Sequence, residues 1–500
     1  MAMNQDKLKE YLIKLRENAQ TMIFNNSKNI VYNSTNQSKI NLRAFSVLQK
    51  MVDPNLNNIL LEKAFLPLSN GSPHIMYTLN KIINHLSKEE STPCSNKVFI
   101  DVNTAKSLKE ERSDKLFGKT QNKKHIMVSL DRSMLETPET FTHLLQAGMT
   151  IARINCAHDN LTVWKKMIQT LRKAEEKHNA RCAGDDSKCK IFIDLPGPKI
   201  RIGSITPSKN KKGKKESYIK IKKNDILRIY KNDKYIGIPK TDTEPASVGV
   251  TLPKALRNVR INDRVYIDDG KIFGKVVLNT EEYIEIEIFL TRKKEETIYP
   301  ENGINFPDSL VHLNVSTVSE SDLSILKSMY KDIDLVGISY INHPKDIQMV
   351  KQQLELLTDE KKGIIAKIET KNAILSLSKI IMEGLNCSLF GVMIARGDLV
   401  IEIGLEQFLS AQEGILEICN AAHTPVIWAT GVLENMNKKN IPSITELTDA
   451  QAGLRADCIM LNKGPYVPNS IEFLQKLNEI NQDPQFHLRN SLVSFVQFDF

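Results

Sequence analysis

Residues 363–369 read Gly363-Ile364-Ile365-Ala366-Lys367-Ile368-Glu369. A short apolar run rich in β-branched residues, followed by a helical stretch, is the pattern of a strand buried on both faces and then covered. The same pattern recurs at 126–130, 150–156, 190–195, 335–341, 389–395, 425–430 and 458–462. Apolar strands alternating with amphipathic helices predict a parallel sheet. Eight of them is the strand count of a (β/α)8 TIM barrel, whose active sites sit at the C-terminal strand ends.

The polar residues that end these runs carry the chemistry. The second run ends Ala152-Arg153-Ile154-Asn155-Cys156-Ala157-His158, and the third ends Ile193-Asp194-Leu195-Pro196-Gly197-Pro198-Lys199-Ile200-Arg201. The sixth runs into Ala395-Arg396-Gly397-Asp398-Leu399, and the seventh ends Ala429-Thr430-Gly431. Lys367 and Glu369 are two apart on a strand and share a face. With Asp398 from the neighbouring strand end, they make a charged cluster that needs compensation. A divalent cation held by Glu369 and Asp398 would supply it, and oxygen-only ligation suits Mg²⁺. Arg153 and Arg201 add planar cationic forks suited to phosphate. Singly, each residue has a blander reading: a structural ion pair for Lys367 and Glu369, a structural arginine for Arg153, and no signal from Thr430. Their convergence on one barrel mouth favours a site.

About 130 residues separate the third run from the fourth, far more than a βα connection needs. Within that stretch, 218–222, 226–230, 264–267, 271–277 and 283–290 read as β-branched strands between turns, so 203–302 is expected to be an inserted β domain. Its run Lys209-Asn210-Lys211-Lys212-Gly213-Lys214-Lys215 reads as a solvated flexible loop, with a role in drawing phosphate to the cleft as the alternative. Residues 1–120 lack strand alternation. Leu8, Tyr11, Leu12 and Leu15 keep helical spacing, and so do Leu42, Phe45 and Leu48. Further helices are expected near 56–66, 74–87 and 104–117, with polar breaks at 25–38 and 88–96. The expected division is a helical domain over 1–120, a barrel over 121–202 and 303–500, and the insertion over 203–302.

The 500 residues are 41% hydrophobic and 25% charged, which excludes a disordered or fibrous chain. Lys and Arg number 68 against 59 Asp and Glu, and the net +9 suits small anions rather than nucleic acid. No window reaches membrane-span length, and Met1-Ala2-Met3-Asn4-Gln5-Asp6 lacks a signal-peptide core. Seven cysteines with no CxxC pair read as reduced thiols of a cytoplasmic protein.

In these stretches the chain resembles the pyruvate kinase family. The matching motifs are Ala152-Arg153-Ile154-Asn155 with His158, Asp194 with Gly197-Pro198 and Ile200-Arg201, Asp268-Asp269-Gly270, and Gly303-Ile304-Asn305-Phe306-Pro307. They continue with Ile365-Ala366-Lys367-Ile368-Glu369, Ala395-Arg396-Gly397-Asp398-Leu399 with Glu402, Ala429-Thr430 with Leu433-Glu434, and Ala456-Asp457-Cys458-Ile459-Met460-Leu461. Their order holds from about 123 to 465. The resemblance implies a glycolytic enzyme that transfers the phosphoryl group of phosphoenolpyruvate to ADP, giving pyruvate and ATP. It implies Lys367, Arg153 and Thr430 as catalytic residues and Mg²⁺ (or Mn²⁺) on Glu369 and Asp398. Substrate would be bound by Arg153, Lys367, Gly397, Asp398 and Thr430, the carboxylate at a helix N-terminus. Nucleotide would be bound by Arg201, Asn155, His158 and Asp269. A homo-oligomer is one assembly consistent with the family.

The departures are specific. A hydroxyl residue usual at Ala157 serves a K⁺ site with Asn155 and Asp194. The usual Glu of the third-strand motif is Lys199, and its small hydroxyl is Leu195. Lys199 beside Asp194 is expected to replace K⁺, so activity should not require it. On the nucleotide side, usual lysines are Asn302 and Pro196. Ser129-Leu130-Asp131-Arg132 lacks the family's Gly-Pro turn, and Asn462-Lys463-Gly464-Pro465 replaces its Ser-Gly-Glu-Thr. The better-preserved phosphoenolpyruvate side leaves two alternatives open: a non-catalytic phosphoenolpyruvate- or nucleotide-binding regulatory protein, or another enzyme acting on phosphoenolpyruvate or pyruvate. The 38 residues after Asn462 are too few for the family's C-terminal domain, so control by a sugar bisphosphate at the usual site is not expected.

Overall fold

A computed structural model describes residues 4–24, 33–87, 99–120, 123–179, 188–209, 215–308 and 317–482. Eight strands close into a parallel barrel, each beside its sequence neighbours and the last beside the first. In order they are His125–Ser129, Ile151–Asn155, Lys190–Asp194, Leu335–Ile338, Gly363–Ile368, Phe390–Ala395, Val426–Ala429 and Cys458–Leu461, called strands one to eight below. Both faces are buried. Met127, Ile151, Phe192, Leu335, Ile365, Met393, Ile427 and Met460 fill the interior, and alternate residues pack under the helices. Strands four and seven stop short of the expected 341 and 430. Tyr340 (φ 55°) and Thr430 (φ 70°) leave extended geometry there and turn into the barrel mouth.

Helices Gln5–Phe24, Ser34–Met51, Leu56–Glu62, Ile75–Ser87 and Val102–Phe117 precede the barrel. The break expected over 25–38 ends earlier than the sequence reading placed it. Asn33 caps the second helix by accepting from Asn36 N at 2.8 Å, so its polar residues start a helix instead of interrupting one. Residues 25–32 and the break at 88–96 lie outside the described residues. Ser34–Met51 packs on the barrel helices Lys371–Gly384 and Leu405–Ala421. Val102–Phe117 ends by inserting Leu116 and Phe117 into the barrel's interior cluster. A Cβ on Gly363 or Gly391 would come within 2.8 or 2.7 Å of Leu116, so strand five has glycine as its first residue and strand six as its second, where the plug enters.

Between strands three and four, six segments form one sheet in the order Ile304–Asn305, Arg264–Ile267, Ile272–Asn279, Tyr283–Thr291, Ile226–Tyr230, Ala246–Gly249. Ile219–Ile221 pairs with Glu296–Ile298, and Pro207–Lys209 with Lys215–Ser217. Ala246–Gly249 was not expected as a strand. It is buried throughout, and Gly249 lets it pass the Asn232 and Tyr235 carbonyls, where a Cβ would lie 2.7 Å from each oxygen. Of the lysine run, Lys209 ends the strand Pro207–Lys209 and Lys215 begins its partner Lys215–Ser217; 210–214, on which the reading of a solvated loop falls, lie outside the described residues. This insertion has its own core, which also draws on Ile200, Ile202, Ile304 and Phe306 of the connecting segments. No described helix is long and apolar enough to cross a membrane. Cys156, Cys189, Cys387, Cys419 and Cys458 are free thiols; Cys94 and Cys182 lie outside the described residues.

Candidate active site

Strand five points Lys367 and Glu369 into the barrel mouth, where they are 8% and 2% exposed. The Lys367 ammonium spends all three protons: on Asp194 Oδ1 at 2.8 Å, Glu369 Oε1 at 2.8 Å and Ser339 Oγ at 2.7 Å. Lys367 and Asp194 are separated by strand four, whose Gly337 leaves room between them. A Cβ there would lie 2.5 Å from Phe192 and 3.3 Å from Asp194 Oδ1. Arg153 holds the other Asp194 oxygen, through Nη2 at 2.6 Å and Nε at 2.9 Å, while Nη1 donates to Ser129 Oγ at 2.8 Å. Its fork is thus engaged by Asp194, not open to the mouth as the sequence suggested. Burial opposes the Lys367 ammonium, but Asp194 and Glu369 outweigh it and raise its pKa. Burial likewise works against charged Asp194, and Lys367 with Arg153 still holds it below the usual carboxylate range.

Glu369 Oε2 accepts from Tyr340 N at 2.6 Å, and the Tyr340 hydroxyl donates to Asp398 Oδ1 at 3.4 Å. One half-buried residue thus touches both carboxylates proposed for the metal. Asp398 opens the helix Arg396–Ile403, whose first turn faces the mouth. Lys199 lies 2.9 Å from Asp398 Oδ1 and 3.5 Å from Asp269 Oδ1, and these carboxylates overcome its burial to raise its pKa. The expected pairing of Lys199 with Asp194 is therefore corrected. The turn at Gly197 (φ 64°) carries the lysine across to strand six and the insertion, while Asp194 is filled by Arg153 and Lys367. The turn Asp268-Asp269-Gly270 of the insertion rests against this helix, a Cβ on Gly270 falling 3.8 Å from Ile401.

Thr430 comes from the other side. A Cβ on Gly397 would lie 2.8 Å from its methyl, so the glycine lets strand seven approach the helix start. Arg396 fixes that junction by donating to Ala429 O at 3.0 Å and Thr430 O at 2.5 Å, pairing with Asp449 and stacking 4.6 Å from the Trp428 ring. A cleft of about 290 Å³ next to these residues is lined by Arg153, Asn155, His158, Trp164 and Lys463, among others. Burial and then the charges of Arg201 and Lys463 lower the His158 pKa, so three of the nucleotide candidates share this cationic quarter. Asn155 turns its Oδ1 to Ala157 N at 3.2 Å. Arg201 donates to Glu301 O at 3.0 Å. Asp269, the fourth candidate, is 70% exposed in its side chain and contacts Lys199 instead.

Residues 122–467 match the family model described as Pyruvate kinase, barrel domain. The chain belongs to the pyruvate kinase family. It is similar to the pyruvate kinase of Thermococcus litoralis, 29% identical over 353 residues that cover 69% of this chain and 67% of that one. It is 28% identical to the pyruvate kinase of Encephalitozoon cuniculi over 347 residues, covering 68% of this chain and 71% of that one. Pyruvate kinase PKLR of Rattus norvegicus is 31% identical over 322 residues, 64% of this chain and 52% of that one. The helices before residue 122 lie outside the family match. The chain is a pyruvate kinase-like enzyme.

Glu369 and Asp398 fit a hard divalent ion such as Mg²⁺ or Mn²⁺. Both offer carboxylate oxygens, and Asp398 Oδ2 carries no hydrogen bond among the described residues. Burial, reinforced by the Asp398 charge, raises the Glu369 carboxyl against the pull of Lys367, a strain that a divalent cation relieves. No cluster of three or more His, Cys, Asp or Glu suited to a metal occurs among the described residues, so water and substrate oxygens would complete the shell. Ser339, Tyr340 and Arg396 were not singled out by sequence reasoning. The first two follow strand four, and the rule that polar residues at strand ends line the mouth, applied to 335–341, would have found them.

Proposed function

We propose that the chain transfers the phosphoryl group of phosphoenolpyruvate to ADP, giving pyruvate and ATP, with Mg²⁺ or Mn²⁺ bound and without a need for K⁺. The observation that carries this reading is the buried Lys367 ammonium held between Asp194 and Glu369, with Asp398 at a helix start beside it. Lys367 would stabilise the enolate and the transferring phosphoryl charge, where water exclusion strengthens a fixed cation. Arg153 would offer Nη1 to phosphoryl oxygens, since its bond to the neutral Ser129 hydroxyl is the one most readily exchanged. Amides at Gly397 and Asp398 would receive the substrate carboxylate, and Thr430 would line the face on which enolpyruvate is protonated. When bound, the divalent ion on Glu369 and Asp398 would neutralise developing phosphoryl charge. Arg201 and His158, beside Lys463, would meet ADP phosphates. Asp269 belongs to a lid, 203–302, that closes over the barrel of 121–202 and 303–500.

Asp194 already carries two cations, and Ala157 offers no hydroxyl, which supports activity without a monovalent cation. The test is a coupled pyruvate assay with phosphoenolpyruvate, Mg²⁺ and several nucleoside diphosphates, run beside Lys367→Ala. Pyruvate from the parent alone, with ADP, is expected; an inactive parent that still binds phosphoenolpyruvate defeats the reading. Replacing K⁺ by Na⁺ or Tris should leave the rate, and a complete K⁺ requirement would overturn that part.

A further inference from the structure

The opposite, N-terminal pole of the barrel holds a cavity of about 520 Å³ between the helix Val102–Phe117 and the entries to strands one, seven and eight. That volume is in the range of small-molecule sites. Lys106 and Lys109 line it from the helix, and Lys123, Lys124 and His125 from the entry to strand one. Its carboxylates are Glu110, Asp114 and Asp457, so lysines outnumber them. The charges are unevenly paired. Lys109 lies 3.4 Å from Asp457 Oδ2 and donates to Asn420 Oδ1 at 2.7 Å, whereas half-buried Lys124 donates to the neutral Leu454 carbonyl at 2.8 Å and, among the described residues, forms no direct ion pair, only sharing the field of the Asp457 that Lys109 already engages. Lys123 is exposed at the rim and its ammonium has no partner among the described residues.

The His125 ring is 5% exposed, packs 5.4 Å from Phe117, and leaves Nδ1 without a partner among the described residues. His423 on the same wall is fully committed, its two nitrogens 2.9 Å from Ser38 Oγ and 2.7 Å from Pro73 O. A buried imidazole nitrogen with no partner among the described residues, beside two ammonium groups that share one neighbouring carboxylate at most, is costly unless something polar and negative completes it. We propose that this cavity binds a small anionic metabolite, one whose phosphate or carboxylate group is held by Lys123 and Lys124 beside His125. The helix that closes the cavity lies outside the residues 122–467 that match the family's barrel-domain model, whereas Lys123, Lys124, His125, His423 and Asp457 lie within them.

Isothermal titration of the full chain with inorganic phosphate, and separately with succinate, tests this on the parent, Lys123→Glu at the pole and Arg201→Ala at the mouth. Because Lys123 is exposed, its replacement leaves the fold intact, which a matching thermal melt verifies. Expected is a saturable component present in the parent and in Arg201→Ala, and at least about tenfold weaker in Lys123→Glu. The anion that gives it names the group recognised. A component lost only in Arg201→Ala, or none with Kd below about 10 mM for either anion, overturns the proposal.

Discussion

The two ends of the barrel use buried cations in opposite ways. At the mouth, Lys367 and Arg153 share Asp194, and Lys199 sits on Asp398, so every one of these cations has a carboxylate within 3 Å. At the pole, Lys124 donates to a carbonyl and shares Asp457 with Lys109, and His125 Nδ1 has no partner among the described residues. A network satisfied from within is held rigid and ready to stabilise charge. An unsatisfied one is completed from outside.

The largest expected effect comes from breaking the mouth. Lys367→Met removes a partner from both Asp194 and Glu369, leaving buried charge uncompensated at a cost of about 3–5 kcal/mol. Pyruvate formation should fall at least about 10³-fold, as for loss of a fixed charge-stabilising group. Urea unfolding and the coupled assay measure the two losses. Retained activity would remove Lys367 from the chemistry.

Next come two pH effects of opposite sign. Burial, with Asp308 and Asp398 adding, pushes the Glu402 carboxyl at the mouth up to about 7, against a bond from the Lys371 backbone. The folded state then holds a proton the unfolded chain has lost, so stability falls as pH rises from 4.5 to 7. At the pole, burial, with Lys124 adding, holds His125 down to about 4. There the unfolded chain gains the proton first, and stability falls as pH drops from 6.5 to 4. Each contribution is at most about 3.4 kcal/mol. Glu402→Gln should remove the first slope and His125→Phe the second, read from melts between pH 4 and 7.5; unchanged slopes would mean that both groups titrate normally.

A smaller change is expected from Asp398→Asn, which takes one charge from the divalent site and frees Lys199. The Mg²⁺ concentration for half-maximal rate should rise about tenfold, a shift that direct Mn²⁺ binding should reproduce. Smallest of all is Lys123→Glu without added anion. It should move stability by less than about 0.5 kcal/mol and leave the pyruvate rate unchanged, because its side chain is exposed and forms no ion pair among the described residues. A large loss there would make Lys123 structural and erase the contrast between the ends.

Much of this was legible in the chain. Runs such as Gly363-Ile364-Ile365-Ala366 announce buried strands because parallel barrel strands need apolar residues on both faces. The two-residue spacing of Lys367 and Glu369 puts them together because strand alternation is local. Ala246–Gly249 was not legible, since its small residues become a strand only where the neighbouring turn presses on Gly249. Nor was the role of Tyr340, whose positive φ turns its N–H and hydroxyl toward two carboxylates from other strands.

By itself, then, the sequence determined the number and order of the strands, the helical region before them, the inserted sheet and the face on which the charged residues lie. All of these depend on patterns a few residues long. Only the tertiary structure decided which cation meets which carboxylate. Lys199 and Asp194 are five residues apart, yet Lys199 pairs with Asp398 and Asp194 with Lys367, because barrel closure and the absent side chain at Gly337 set those distances. The cavity at the pole arose the same way, from a helix whose last residues plug the barrel and whose lysines are carried to its rim.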